Sequence, residues 1–233
     1  MIESGSTRKY LLYAIGEIAL VVIGILIALQ INNWNQQLND HALEQKNLID
    51  LRQELMTNRQ KVEFQVERRA TMKGPLDAYI KKLSEGDVVL DEFMEIHKEK
   101  FFSGRINPSF GVFNSIISSG EIKMIRNDSL KYLITEWQDY MGNYVEVEHT
   151  IFDGHRAFQD YFIKKFPGEG NQIHRWSSIK LANAFKEVVE DVEYINRLLR
   201  VQDHLEVGVR IGNNNVEYID EMINLIDSEI SKQ

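Results

Sequence analysis

No cysteine occurs among the 233 residues, which excludes disulfides, thiolate metal ligands and cysteine nucleophiles together. The absence does not choose a compartment, because an oxidising space permits disulfides without requiring them. Proline is almost as scarce, with Pro75, Pro108 and Pro167 the three present. Few positions therefore forbid a helical hydrogen bond, and none does so between Leu11 and Lys73. Positive charge is also short: 27 Lys and Arg stand against 35 Asp and Glu, a net −8. In residues 1–34 the charges are Glu3, Arg8, Lys9 and Glu17, which cancel, so the polar remainder carries the whole excess. An acidic body is repelled by phosphate backbones and anionic headgroups, and nucleic acid is not an expected partner.

Catalytic signatures are missing too. There is no G-x-S-x-G elbow, no HExxH, no phosphate-binding Gly-Lys loop and no calcium-loop spacing. Gly168-x-Gly170 follows a helical stretch and not a strand, so it has no dinucleotide meaning.

What is present begins with Tyr10 to Ile31, YLLYAIGEIALVVIGILIALQI, apolar throughout except for Glu17 and Gln30. About 20 residues rising ~1.5 Å each cross ~30 Å of hydrocarbon, so the run predicts a transmembrane helix. A cleaved signal peptide would have an apolar core of about 7–15 residues ending at a small-x-small site. Here the run is longer and ends in Gln30-Ile31-Asn32-Asn33-Trp34, so an uncleaved anchor is expected. Tyr10 and Trp34 stand where amphipathic rings mark the two interfaces. Arg8 and Lys9 precede the run, and the next basic side chain is Lys46. Positive residues stay on the cytoplasmic side, which predicts a short cytoplasmic segment 1–9, a membrane anchor 10–31 and an exported remainder. A carboxyl inside the run is costly unless it meets something. At about 3.6 residues per turn, Tyr13, Glu17, Gly24 and Ala28 share one face, and Gly24 with Ala28 is a small-xxx-small pair that lets two backbones approach. Self-association through this face is the expected partnership, beside the bilayer itself and an unidentified membrane partner. The alternative is a Glu17 reached by water near the interface.

The run KYLLYAIGEIALVVIGILIALQINNWN and, further on, FNSIISSGEIKMIRNDSL resemble the two recurring blocks of a family of uncharacterised single-pass membrane proteins common in Bacteroidota. The resemblance implies location and architecture, and no activity.

After the membrane, Leu48, Leu51, Leu55, Val62 and Val66 recur at helical spacing, predicting a juxtamembrane helix 32–73. Gly74-Pro75 is expected to turn the chain into a bundle 74–233, opening with a short helix Pro75–Leu83. Asp91 is expected to cap a helix Glu92–Phe102, and Pro108 to open one that carries Phe110, Phe113, Ile116 and Ile117 and ends at Gly120. Glu121–Arg126 reads as extended or as a linker. Asn127 and Asp128 then cap a helix whose seam is Leu130, Leu133, Trp137, Tyr140, Tyr144, Val147, Ile151, Phe158 and Tyr161, with Gly154 in the skipped place. Pro167–Asn171 reads as a loop. The last stretch predicts two stripes, Phe185-Val188-Val192-Ile195-Leu199 and Val216-Ile219-Ile223-Ile226-Ile230, with a break at Gly208 or at 212–215.

Glu146 and His149 stand as E-x-x-H, followed by Asp153 and His155. A di-metal bundle site needs a second E-x-x-H helix, and none occurs. With Val147 on the seam, Glu146 and Glu148 should flank the core as a solvated face. Asn127-Asp128-Ser129 matches a glycosylation sequon but reads better as a helix cap. No catalytic, cofactor or metal residue is assigned. The expectation is an all-α protein: a transmembrane helix continuing into a long helix and an extracytoplasmic helical bundle. It would serve as a non-enzymatic interaction, scaffold or sensing module. The alternative is a membrane-tethered hydrolase or metal-dependent enzyme, which would need a concave polar pocket with converging titratable groups.

Overall fold

The computed structural model describes residues 4–98, 105–166 and 176–232. It is all-α, without strands among the described residues. One helix, α1, runs unbroken over Ser4–Glu85, 82 residues or about 120 Å at 1.5 Å per residue. Its first third is long and apolar enough to cross a membrane, with a mean hydropathy of 2.5 in the most apolar window and no part of that window buried. Burial begins only around Glu44. From there Leu48, Leu51, Leu55 and Val62 are fully covered, as their spacing predicts, with Val66 half-buried beside them.

α1 does not turn at Gly74-Pro75. Pro75 lies inside the helix. It removes one backbone hydrogen bond, at a cost of about 3 kcal/mol for an interior proline. Thr71, Gly74 and Pro75 are exposed, so water reaches the freed carbonyl. Just beyond, Leu76 and Tyr79 are buried, and each such burial contributes roughly 1.5–3 kcal/mol. Packing therefore outweighs the local breaker, and the residues on either side of 73/74 belong to one helix.

Helix α2 covers Leu90–Lys98, with Asp91 inside its first turn and not before it; the expected end at Phe102 lies outside the described residues. Helix α3, Gly111–Ser119, starts three residues later than Pro108 suggests and ends on Gly120 in the left-handed conformation, φ 76°. Phe113 and Ile116 are buried, whereas Ile117 faces out. Glu121–Met124 is a 3-10 turn, neither extended nor a plain linker. Helix α4, Asp128–Lys165, is capped by Asn127, whose Oδ1 accepts from the Leu130 amide at 3.0 Å. The same side chain donates to Glu229 at 2.7 Å, so both ends of the sequon's amide are engaged in packing. The loop expected at Pro167–Asn171 lies outside the described residues.

The break in the last stretch falls at Asp191, between α5 (Ser178–Glu190) and α6 (Val192–Ile230). Asp191 caps α6 through the Glu193 amide and also receives the Tyr161 hydroxyl at 2.7 Å. The expected stripe through Val192 and Leu199 therefore does not exist. Both are exposed, and Tyr194, Leu198, Val201 and Leu205 form the buried row instead. Helix α6 passes straight through Gly208 and Gly212, which serve close approach: an added Cβ would lie 2.8 Å from the Arg69 Cδ and 2.3 Å from a Val66 methyl.

Helix α6 packs against both α1 and α4, while α2, α3 and α5 patch the sides. The pairing of α1 with α6 is antiparallel in a single register. Arg52 meets Asp227, Arg59 meets Asp220, Lys73 meets Glu206, and Gln202 donates to Asp77. Each step of seven up α1 is a step of seven down α6, the repeat of a coiled coil. These half-exposed pairs contribute about 0–1 kcal/mol each, so they mark the register more than they hold it.

A charged layer inside the bundle as candidate functional site

Two apolar clusters fill the bundle. One gathers around Leu55, Trp137 and Ile219, the other around Phe93, Phe158 and Leu198. Polar side chains separate them. Arg69 stands on the core row of α1, seven residues after Val62, and is fully buried. Its Nη1 and Nη2 donate to the two carboxylate oxygens of Glu148 on α4, both at 2.6 Å. Gly208 on α6 supplies the space, because any side chain there would meet the guanidinium stem. Burial pulls the Arg69 pKa down, but the hydrogen bonds and charge of Glu148 outweigh it, and the net shift is upward. Tyr144, one turn before Glu148, is buried against the pair. Its phenol is pushed well above the usual range, by burial first and by the Glu148 charge second.

Glu148 corrects the expectation of a solvated face, since it is 2 % exposed. The buried phase of α4 runs Tyr144, Glu148, Ile151, His155, Phe158, with Val147 half-covered and Tyr140 at the edge. The skipped place is filled by His155, while Gly154 makes room for His204 of α6. The two imidazoles lie 5.8 Å apart. Burial lowers the His204 pKa, and the charges of Arg200 and Arg69 lower it further against Asp203. Glu146, His149 and Asp153 face solvent, and no group of three metal-binding side chains assembles among the described residues.

A second polar string lies in the distal cluster. The His97 Nδ1 is 2.6 Å from the Phe93 carbonyl and must donate to it. Nε2 then accepts from the Tyr194 hydroxyl at 3.2 Å, whose oxygen accepts from the Tyr79 hydroxyl at 2.9 Å. The ring stacks on Phe162 with centroids 4.3 Å apart. Burial lowers the His97 pKa to about 4, against a smaller opposing pull from the Phe93 carbonyl. The folded state therefore refuses a proton that the unfolded chain binds below about pH 6.5. Stability should be complete above pH 6.5 and fall as pH drops toward 4, by roughly 3 kcal/mol in all. Chemical unfolding between pH 7 and pH 4 measures this. In His97→Gln the His97 component of that slope should vanish, and an unchanged slope would place the protonation elsewhere.

A third cluster fastens α3 to α1. The Glu54 carboxylate accepts from the Val112 amide at 2.9 Å, the Phe113 amide at 3.1 Å and the Ser109 hydroxyl at 3.1 Å. Asn58 grips the Ser109 backbone from both sides, at 2.7 and 2.8 Å. Nearer the membrane, Glu44 accepts from the Arg126 amide and Asn47 donates to Glu121. The block FNSIISSGEIKMIRNDSL is thus held by the first buried turns of α1.

Tyr13, Glu17, Gly24 and Ala28 all lie on the uncovered part of α1, exposed among the described residues. Glu54, Arg69 and His97 were not singled out from the sequence, and Glu148 was read there as part of a solvated face. Arg69 carried one signal, a charged residue on the seven-residue phase of Leu48, Leu55 and Val62. Comparison with known proteins matches residues 17–205 to a family model described as a family of unknown function, DUF6090. The chain belongs to that family. No curated protein and no solved structure matches it.

Proposed function

We propose that this member of the family is a membrane-anchored interaction module, a scaffold or sensor without catalysis of its own. Its N-terminus would lie in the cytoplasm and its bundle in the periplasm of a bacterium of the Bacteroidota type that the opening block suggests. The observation that carries this reading is the continuity of α1. One helix holds both the apolar run and part of the bundle's buried face, and it is keyed to α4 and α6 through Arg69, Glu148 and Gly208. A charged group locked into a glycine notch resists sliding by a turn, so the bundle and the membrane segment move as one lever. Force from a partner on the bundle then reaches the membrane face of Glu17, Gly24 and Ala28 without a joint, and the response is a change in how two copies meet there.

Single cysteines placed along residues 13–28 test this in a chain that has none of its own. Crosslinks are expected at Tyr13, Glu17, Gly24 and Ala28 and not between them. Among the described residues beyond its own stretch of helix, nothing lies within 4 Å of a Cβ added at Gly24. Gly24→Leu is therefore harmless to the monomer and should weaken self-association more than Glu17→Gln, which keeps its hydrogen-bonding capacity. Crosslinking all around the helix, or nowhere, would remove the interface. Topology is checked separately: protease added outside should reach the bundle when only the outer membrane is permeable.

A further inference from the structure

Tyr132, Glu136 and Tyr140 follow one another at four-residue steps along one edge of α4, so they form a row on the same helix face. Tyr218 of α6 completes it. Its ring stacks on Tyr140 with centroids 4.2 Å apart and planes 14° apart, and on its other neighbour, Trp137, at 6.0 Å. Two hydroxyl anchors hold these rings: Tyr218 donates to the Leu133 carbonyl at 3.1 Å and Tyr140 to the Asn214 carbonyl at 3.4 Å. Tyr132 is 64 % exposed. Glu136 and Glu221 stand close enough to help burial push the Tyr218 phenol up to about 12, and Glu217 acts likewise on Tyr140. Among the described residues none of Glu136, Glu217 and Glu221 is in an ion pair.

Among the described residues three other rings lie under a cation. Arg105 sits 4.3 Å over Phe152, Lys180 3.7 Å over Trp176, and Arg197 5.3 Å over Tyr161. Each takes its cation from the chain itself. No Lys or Arg among the described residues lies over Tyr132, Tyr140 or Tyr218. Tyr218 is itself stacked by Tyr140 and Trp137, so the row offers the exposed Tyr132 ring and the side of Tyr140 away from Tyr218; together with three carboxylates in no ion pair these favour a cation from outside.

We propose that this tyrosine row is a docking surface for a cationic polypeptide segment, whose Arg or Lys side chains lie over Tyr132 and Tyr140 and between the carboxylates. From Tyr132 to Tyr140 the row extends about 12 Å along the helix, more than one ammonium group covers and suited to several cationic side chains in series. The proposal rests on the reading of the bundle as an interaction module and names the chemistry of its partner.

The test uses the intact protein in a maltoside detergent with labelled hexa-arginine as probe, read by fluorescence anisotropy at several salt concentrations. Tyr132→Leu and Tyr140→Leu should each weaken binding about threefold or more although neither changes the charge. Glu136→Gln with Glu217→Gln should weaken it and flatten its salt dependence, while Glu187→Gln with Glu190→Gln on α5, an equal change of charge elsewhere, should do neither. Tyr132 is exposed enough that its variant keeps the fold if Tyr140→Leu does not. Wild-type binding by the tyrosine variants, or an equal loss in the α5 variant, would reduce the effect to diffuse charge and overturn the proposal. Displacement of the probe by tetramethylammonium at comparable concentration would mean a single-ammonium site and would overturn the polypeptide assignment. Crosslinking at Gly24 and Ala28 does not depend on any of these outcomes, so either result can fail alone.

Discussion

Arg69→Met should destabilise the bundle by about 3–5 kcal/mol, the usual cost of removing one partner from a buried ion pair. The reason is the carboxylate left behind. Glu148 is 2 % exposed and loses both of its 2.6 Å donors at once. It must then be buried charged, take up a proton, or open the bundle to water. The pair itself is a weaker source of stability than this loss suggests, because taking two charges out of water offsets most of their attraction. The double variant Arg69→Met, Glu148→Leu should therefore recover most of the loss, and can equal or exceed the wild type. Urea unfolding of the three variants in detergent separates the two statements. A single-variant loss below about 0.5 kcal/mol, the range of ordinary surface changes, would mean that the layer is wet or rearranges freely. What the double variant should lack is specificity. With an apolar pair over Gly208, the one-turn slips of α1 become less costly, and cysteine pairs across the α1–α6 seam should begin to crosslink out of register.

Glu54→Leu should cost at least as much, roughly 5 kcal/mol or more, since three hydrogen bonds to a charged group contribute about 1.5–3 kcal/mol each and two backbone amides are left without an acceptor. The effect should be local in character. Helix α3 has nine residues and no cap from its own side chains; its cap is the carboxylate of α1, 58 positions back from Val112. Without it, hydrogen exchange at Val112 and Phe113 should rise to the rate of a frayed end, while the α4 amides around Trp137 stay protected. Glu54→Gln, which keeps one acceptor oxygen, should fall between. If the Val112 and Phe113 amides remain protected in Glu54→Leu, Asn58 and the burial of Phe113 and Ile116 are sufficient to hold α3. The carboxylate would then have no capping role.

The elements that the sequence by itself determined are those whose cause is local. The apolar run through Ile31 needs only its own composition and length. The end of α3 and the start of α4 were legible because a left-handed Gly120 and an Asn127 cap act within a few residues of themselves. The rows at Leu48–Val62 and Leu130–Ile151 were legible because burial repeats along one helix face. Several misreadings have a cause far away in the chain. Gly74-Pro75 breaks a helix unless its next turn is packed, and Leu76 and Tyr79 are packed in one cluster with residues of α2, α4 and α6, among them Tyr194, 115 positions beyond Tyr79. Gly208 and Gly212 look like breakers until Arg69 and Val66 arrive from α1 to fill the space above them. Pro108 looks like a helix start because the cap that places the start at Gly111 comes from Glu54. Glu148 looks like a solvent residue because a charge is buried only when its partner is, and that partner lies on another helix. Periodicity reports which residues prefer to be covered. Which charges are covered, and which glycines are notches, depends on what the third dimension sets opposite them.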